Sequence, residues 1–354
     1  MSPRPANEFH IPSLDGIRAI AALLVFVSHC GLEHLVPGGF GVTIFFFLSG
    51  FLITTLLRQE YERTGTISLK KFYLRRIYRI FPPLYIVLLL LMLPYSVGGS
   101  SHHATDLALW AQFLQLTNYY TIFWGSATMI PDSGPMWSLS VEEHFYLLFP
   151  LVLLLLLRRY AYRRIGVILI AACVAILLWR AIFLQTLNVG YDYTYFATDT
   201  RIDSLLYGCI MGIWLNPVLD PHFKDVSSIR WTGVLVIAAG LLAFTLLYRA
   251  QTFRETFRYS LQGVALFPIF FCAVRKSAWP IFHWLELAPV RFLGIISYTF
   301  YLCHVKALVV VHRYLDATMP LQGVLGFILA VAFSSAMYFL VERHLGALRR
   351  RLHP

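Results

Sequence analysis

Charged residues are scarce in this sequence of 354 residues, since Asp, Glu, Lys and Arg together make up 13% of it. Soluble domains carry about 25%, and the shortage of charge is typical of chains that lie in hydrocarbon, where ionised side chains are costly. The sequence also lacks any polar stretch long enough to form a second, soluble domain. Its five cysteines all lie in apolar runs without a Cys-x-x-Cys spacing, which argues against a disulfide framework and against a zinc site.

Apolar residues are abundant instead and make up 58% of the sequence. A spanning helix needs roughly 20 predominantly apolar residues, and helices satisfy their own backbone hydrogen bonds in lipid. We therefore predict an all-α integral membrane protein, a single transmembrane domain over residues 1–354 with about ten helices. The predicted spans are 14–31, 38–57, 81–97, 143–157, 165–186, 203–215, 230–248, 259–274, 291–313 and 321–342. The first has no small-residue cleavage site, so we expect it to be retained.

The net charge of +11 is distributed unevenly between alternate loops. Seven Lys and Arg residues follow the second predicted span, whereas the long loop between the third and fourth spans has none. The positive-inside rule then predicts both termini in the cytoplasm of a multi-pass protein of the cell (inner or plasma) membrane. The basic residues are therefore a topology signal with anionic lipid as partner, and they do not indicate binding to nucleic acid.

The first predicted span contains three ionisable residues, Asp15, Arg18 and His29. Eleven residues separate Arg18 from His29, and at about 100° per residue both side chains point the same way, about 16 Å apart along the axis. An interfacial arginine and a histidine satisfied inside the bundle are the structural interpretation. Ionisable residues within a membrane more often indicate function, so we take this stripe as a candidate site.

Glu142 and Glu143 directly precede the fourth apolar run, in the segment Trp137-Ser138-Leu139-Ser140-Val141-Glu142-Glu143. A helix start would explain them, with a serine as N-cap and carboxylates in the first turn. Carboxylates facing hydrocarbon also need a partner. The predicted topology places Glu142 and His29 both at the outer side, so we expect the two to meet.

Other ionisable residues allow two interpretations. Arg201 and Asp203 open the sixth span, as a local ion pair or as part of a site. His304 lies about two-thirds of the way out along the ninth span, as a satisfied core residue or a functional one. His102 and His103 lack further metal ligands nearby, and we expect no metal site there.

Arg75, Arg76 and Arg79 form a basic segment that we predict on the cytoplasmic side. Arg76 and Arg79 share a helix face at spacing i, i+3. Ordinary positive-inside charge would explain them. Arginine forks also match phosphate oxygens, so a clamp for a nucleotide-bearing acyl donor is the functional alternative.

Taken together, these segments resemble the membrane acyltransferase-3 family, which includes bacterial O-acetyltransferases of surface polysaccharides and macrolide acyltransferases. The similar segments follow most of the chain and are Leu14–Arg18 with His29, Gly39–Val42 with Phe46–Ile53, Arg75–Pro82, Trp137–Glu143, Arg201–Asp203 and Ile296–His304. Two departures are His144, where the family commonly has Gln, and Val341–His344, which lacks the usual Pro. Some relatives carry a hydrolase-like domain after the spans, and we expect this chain to end without one.

The resemblance implies an enzyme, an O-acyltransferase with acyl-CoA, most simply acetyl-CoA, as cytoplasmic donor. The acceptor would be a hydroxyl of a carbohydrate, glycolipid or macrolide at the outer face. His29 would act as general base or acyl carrier. The expected catalytic residues are His29, Glu142, Glu143 and Arg18, the donor-binding residues Arg75, Arg76 and Arg79, and the substrate-binding residues Asp15, Trp137, Ser138, Arg201, Asp203, Tyr298 and His304.

A polytopic transporter or flippase with an intramembrane His/Glu relay is the alternative. Transporters more often show internal repeats and broken helices in both halves, and neither pattern is found in this sequence. The basic residues concentrate on one side and the histidines and carboxylates on the other, which favours separate donor and acceptor sites.

Overall fold

The computed structural model describes residues 11–96, 104–186, 190–220, 228–315, 318–350 and 352, and no strand occurs among them. The predicted all-α class is confirmed. The helices of the first half are α1 (Pro12–Val27), α2 (Gly38–Thr64), α3 (Leu69–Ser96), α4 (Asp106–Phe113), α5 (Thr117–Trp124), α6 (Trp137–Arg159), α7 (Tyr162–Thr186), α8 (Tyr191–Phe196) and α9 (Thr198–Arg201).

The second half continues in the same way, with long helices separated by short ones. Its helices are α10 (Asp203–Ile213), α11 (Ser228–Leu247), α12 (Gln251–Glu255), α13 (Phe257–Arg275), α14 (Pro280–His283), α15 (Ala288–Ile295), α16 (Ser297–Tyr314), α17 (Met319–Met337) and α18 (Arg343–Arg350). Single π-helical turns follow α1, at Ser28–Leu32, and α17, at Tyr338–Glu342.

Within the described part of the chain, eight segments are long and apolar enough to cross a membrane. The helices α15 and α16, bent by 78° against each other, form a ninth when they are counted as one span. The predicted sixth span corresponds to α10, which has only 11 residues and is too short to cross hydrocarbon by itself. The predicted count of ten spans is therefore not confirmed, and the side that each end faces stays a prediction.

The short helix α10 is enclosed by the bundle. All of its residues are buried except Tyr207, which is partly buried. It crosses α2 where glycines from both helices meet, since a Cβ on Gly50 would overlap the Leu205 carbonyl oxygen and one on Gly208 would overlap the Phe47 carbonyl oxygen. Small residues allow this close approach of helices in membranes, and a helix that contacts protein all round needs no full membrane length.

The outer surface of the bundle is apolar, as lipid requires. On α6, Leu147, Leu151 and Leu155 are exposed at helical spacing. The opposite face of the same helix buries Phe145, Phe149 and Leu153 against the core. Since the exposed face carries no polar group, it fits contact with hydrocarbon rather than water.

The length of α2 separates the two ends of the bundle. α2 has 27 residues, which corresponds to about 40 Å. His29 lies just before α2 begins, and α3 begins only four residues after α2 ends, beyond Gly65 with its positive φ of 71°. His29 and the first turn of α3 therefore lie at opposite ends.

Candidate functional site

His29 lies where the first span breaks. It is part of the π-helical turn, and Cys30 and Gly31 leave the helical backbone region directly after it. Gly31 has a φ of +83°, which side chains other than glycine rarely adopt. The chain therefore turns away from the helix at this point and leaves the His29 ring exposed.

The contacts of the His29 ring identify its free nitrogen. Nδ1 lies 2.8 Å from the carbonyl oxygen of Val25. A carbonyl oxygen only accepts hydrogen bonds, so Nδ1 carries the proton. In the neutral ring Nε2 then keeps its lone pair. This nitrogen can accept a proton or act as a nucleophile.

His304 lies directly beside His29, although the sequence placed them in different motifs. The ring centroids are 5.0 Å apart, and Nε2 of His304 is 3.4 Å from Nδ1 of His29. His304 is 1% exposed, and its own Nδ1 lies 2.7 Å from the Tyr301 carbonyl oxygen. The structure thus joins two predicted site residues in one pair.

A second group of predicted residues surrounds a basic site inside the bundle. Arg18 pairs with Asp15 at 2.9 Å, on the helix face that the sequence predicts. Arg79 has an exposed side chain, yet it lies within electrostatic range of Arg18, Glu142 and Glu342 from three other segments. Charged groups from three segments therefore surround Arg79, as a site for a charged ligand would require.

The arginines lie deeper than the sequence indicated. α3 begins at Leu69, well before the predicted start at residue 81, so Arg76 and Arg79 belong to the spanning helix. Arg79 lies about 15 Å along the helix from Leu69. The guanidinium of Arg76 lies 4.9 Å from the centroid of the Tyr146 ring. Neither arginine forms an ion pair or hydrogen bond with any residue in the described part of the chain.

Arg75 faces elsewhere. One of its nitrogens pairs with Glu60 at 3.2 Å, and another donates to the Leu352 carbonyl oxygen at 3.0 Å. Successive helix residues point about 100° apart, which explains why Arg75 and Arg76 have different surroundings. The three arginines of the predicted clamp therefore do not lie together. Arg75 lies apart, and Arg79 is within electrostatic range of both Arg76 and Arg18.

Glu142 also differs from the expectation that it meets His29. Its carboxylate accepts hydrogen bonds from Ser49 at 3.2 Å and from Tyr146 at 2.7 Å. Ser49 lies about 16 Å along α2 from Gly38, whereas His29 precedes that helix. Among the hydrogen bonds and ion pairs of the described residues, none joins His29 to Glu142 or Glu143. The predicted topology placed both residues on the outer side, but it did not resolve this difference in depth.

The carboxylates belong to the basic site instead. Glu142 lies within electrostatic range of Arg76 and Arg79, and Glu143 within range of Arg76. Tyr298, another predicted residue, lies within range of both carboxylates and donates to the Ile80 carbonyl oxygen at 3.0 Å.

Sequence reasoning missed three further residues of this site, namely Ser49, Tyr146 and Glu342. Glu342 accepts a hydrogen bond from Thr299 at 2.5 Å. Glu342 follows an apolar run just as Glu142 precedes one, so its position in the sequence indicates a candidate site residue. Serine and tyrosine are common in apolar helices, so nothing in the sequence marks Ser49 and Tyr146 as site residues.

Arg201 and Asp203 do not form the local ion pair that one interpretation predicted. Asp203 pairs with Arg180 at 2.7 Å, and both side chains are fully buried. Ser260 donates to the same Asp203 oxygen at 3.0 Å. Arg180 is a single arginine within the predicted fifth span, and an isolated charge in that position is the sequence signal for this buried pair.

Arg201 is enclosed by aromatic rings and is 0% exposed. Its guanidinium lies 3.8 Å from the centroid of the Tyr259 ring and 5.7 Å from that of Trp137, and it donates to the Thr43 hydroxyl at 3.3 Å. A desolvated cation over an aromatic face gains about 2 kcal/mol or more. These contacts describe an aromatic cage that leaves Arg201 no exposed surface.

Ser138 and Trp137 connect the start of α6 to its neighbours. The Ser138 hydroxyl is 2.8 Å from the Tyr301 hydroxyl, so Ser138 does not cap the helix. Trp137 lies 5.0 Å from Tyr195, centroid to centroid. Through Tyr301, Ser138 is linked to the helix that carries His304.

Possible metal ligands do not cluster in the described part of the chain, where no group of three His, Cys, Asp or Glu residues has suitable geometry. His102 and His103 lie outside the described residues.

Comparison with known proteins identifies relatives over most of the chain. A family model described as "Acyltransferase domain" matches residues 11–339. A provisionally named O-acetyltransferase of Staphylococcus aureus strain COL is 30% identical, over 94% of this chain and 57% of the relative. The peptidoglycan O-acetyltransferase OatA of Listeria monocytogenes is 30% identical, over 88% of this chain and 51% of the relative.

The O-acetyltransferase OatA of Staphylococcus aureus strain NCTC 8325 is 31% identical, over 86% of this chain and 52% of the relative. This chain thus spans little more than half the length of the curated relatives it matches. No solved structure matches it.

The buried pair predicts a stability effect for Asp203. Asp203→Asn should lower the free energy of unfolding by about 3–5 kcal/mol, because it leaves the buried Arg180 charge without its partner. Thermal unfolding of the purified protein in detergent measures this. The double variant Arg180→Met/Asp203→Leu should be more stable than the single one, since it removes both charges. A single variant as stable as the wild type would show that Asp203 has no such structural role.

Proposed function

The chain belongs to the acyltransferase family whose model spans residues 11–339, and we propose that it is a membrane O-acetyltransferase. In this proposal it moves an acetyl group from acetyl-CoA, on the cytoplasmic side of the inner or plasma membrane, to a hydroxyl at the outer face. The names of its relatives support acetyl transfer, and one of them names peptidoglycan. They favour a carbohydrate or glycolipid acceptor over a macrolide.

The observation that carries the proposal is the separation of two kinds of site. Arg79 lies within electrostatic range of both Arg18 and Arg76, and His29 carries an unprotonated Nε2 at one end of the first span. Arg18 and His29 lie on the same helix, about 16 Å apart along its axis. A donor that enters from one end and an acceptor that arrives at the other would meet across this distance.

In this proposal Arg76 and Arg79 bind the phosphates of the donor. Both lack an ion-pair partner among the described residues, and arginine forks bind phosphate oxygens with two parallel hydrogen bonds. Glu142 and Glu143 lie within range of Arg76, where they orient its guanidinium and limit the net positive charge. Asp15 holds Arg18 in the same way through their ion pair.

The chemical step uses Nε2 of His29. As general base, Nε2 takes the proton of the acceptor hydroxyl while the hydroxyl oxygen attacks the thioester carbonyl carbon. The new C–O bond forms, the C–S bond breaks, and the leaving thiolate of CoA takes up the proton that Nε2 received. As acyl carrier, Nε2 itself attacks the thioester carbonyl carbon, so that an N–C bond forms and the thiolate of CoA leaves. The acceptor hydroxyl then attacks the acetyl group, the N–C bond breaks, and the hydroxyl proton passes to the thiolate. Both versions require the Nδ1–H tautomer that the contact with Val25 favours.

The remaining predicted residues surround these sites. Tyr298 faces the carboxylates of the basic site, where it would contact the donor. Trp137 and Ser138 lie at the start of α6, near the proposed acceptor side. We assign Arg201 and Asp203 the task of holding that region rigid through the aromatic cage and the ion pair with Arg180.

A transporter or flippase would also contain charged residues around an interior opening. Purified protein in liposomes, given labelled acetyl-CoA and an oligosaccharide acceptor, separates the two functions, because only a transferase forms a labelled covalent product.

A variant of His29 tests the proposed role of this residue in acetyl transfer. His29→Ala should lower the rate of acetyl transfer by at least about 100-fold, since general-base catalysis typically contributes 10²–10⁴-fold. The rate of labelled product formation in proteoliposomes measures it. His312→Ala is the matched control, because His312 is an exposed histidine on α16 and should leave the rate unchanged. Wild-type rates in the His29 variant would exclude both versions of the mechanism.

Variants of Arg79 and Arg75 distinguish a role in donor binding from a role in packing. Arg79→Gln should raise the KM for acetyl-CoA about tenfold or more, because it removes a charge-assisted hydrogen bond of about 1.5–3 kcal/mol, and should leave the unfolding temperature close to that of the wild type. Arg75→Gln should lower the unfolding temperature, because it leaves the buried Glu60 without its partner, while KM stays unchanged. Initial rates against acetyl-CoA concentration give both KM values. The reverse pattern would assign the phosphate contact to Arg75.

A further inference from the structure

We propose that His304 is a positioning residue for His29. His304 accepts a hydrogen bond from the Nδ1–H of His29, which leaves Nε2 of His29 unprotonated for the reaction. This inference rests on the proposed function. It differs from the sequence prediction, which made His304 a substrate-binding residue, because the burial of His304 leaves it little surface for a substrate.

The protonation of both rings follows from their backbone contacts. Nδ1 of His304 lies 2.7 Å from the Tyr301 carbonyl oxygen and therefore carries a proton. Nε2 of the neutral His304 ring then has a lone pair, and it lies 3.4 Å from the protonated Nδ1 of His29. The Nδ1–H of His29 is thus shared between two acceptors, the Val25 carbonyl oxygen and Nε2 of His304.

The surroundings hold the His304 ring in one orientation. Its centroid lies 6.4 Å from that of Phe300 and 6.5 Å from that of Phe26. These two phenylalanines belong to an apolar cluster between α1, α16 and α17. An acceptor fixed by packing aligns its partner at no further cost in side-chain entropy.

This pairing matters most when His29 carries a positive charge. As base, His29 becomes an imidazolium with protons on both nitrogens, and hydrogen bonds to charged groups are stronger than those between neutral groups. The Nδ1–H bond to His304 then strengthens at the moment of proton transfer. Protonation of His304 on Nε2 would place two N–H groups face to face, so the arrangement requires His304 to remain neutral.

A purely structural role for His304 would need only the hydrogen bond to Tyr301 and the packing. Two substitutions separate these roles. Asn can place an amide N–H where Nδ1–H lies and keep the bond to Tyr301, but it has no acceptor at the Nε2 position. Gln can place an amide oxygen near the Nε2 position and accept from His29.

The experiment compares His304→Asn and His304→Gln in full-length protein reconstituted in liposomes, with acetyl-CoA as donor and an oligosaccharide as acceptor. We expect His304→Asn to lower kcat roughly 10- to 100-fold, as for the loss of a hydrogen bond to a charged group, with an unchanged KM for acetyl-CoA. His304→Gln should restore most of kcat. His312→Asn, on the same helix but exposed and 3.1 Å from Gln322, should leave kcat unchanged.

Equal kcat values for the Asn variant and the wild type, or equal losses in the Asn and Gln variants of matched thermal stability, would overturn the proposal. Failure of the proposed function has a different result, since the wild type itself would then form no labelled product.

A second measurement needs no variant at His304. In wild-type protein labelled with ¹⁵N-histidine, the ring signals of His29, assigned by their absence in His29→Ala, should show Nδ1 protonated and Nε2 unprotonated at a pH where the ring is neutral. A protonated Nε2 would overturn the proposal even if both His304 variants failed to fold.

Discussion

Hydrocarbon does not solvate ions, so every charged side chain in this bundle must have a partner, reach the surface or face an internal opening. The structure pairs some of these ions within the protein. Arg180 with Asp203 is a fully buried pair, and Arg58 pairs with Asp220 and Glu62 near the end of α2. Arg76 and Arg79 lie within the third span, and neither has an ion-pair partner among the described residues. The proposed donor site follows from this difference, because a negatively charged ligand would supply the partner that these two arginines lack there.

A buried ion pair is weak evidence of function, since each charge already has its partner within the protein. Asp203 and Arg201 illustrate this, because motif resemblance made both of them site residues, while the structure pairs Asp203 with Arg180 and buries Arg201 against aromatic rings. Arg201 is the more unusual of the two, as it is held by aromatic faces instead of a carboxylate. Their contacts join α2, α10 and α13 and extend to Trp137 at the start of α6.

Helical periodicity predicted the features that depend on a single helix. The shared face of Asp15 and Arg18, the long apolar spans and the all-α fold are confirmed. Features that depend on partners from other helices were not predictable in this way. Glu142 contacts Ser49 instead of His29, Asp203 contacts Arg180 instead of Arg201, and Arg75 turns away from Arg76. Periodicity gives the direction of a side chain, but depth and partner depend on where each helix begins, and α3 begins earlier than its apolar run suggests.

The proposed function depends on one path through the bundle, from Arg76 and Arg79 to Nε2 of His29. An electron cryomicroscopy structure of the full chain with bound acetyl-CoA tests it most directly. We expect phosphate oxygens within hydrogen-bond distance of Arg76 or Arg79, and the acetyl group on the His29 side of Arg18. Acetyl-CoA bound outside the bundle, with its phosphates on Arg75 and its acetyl group directed away from His29, would contradict it.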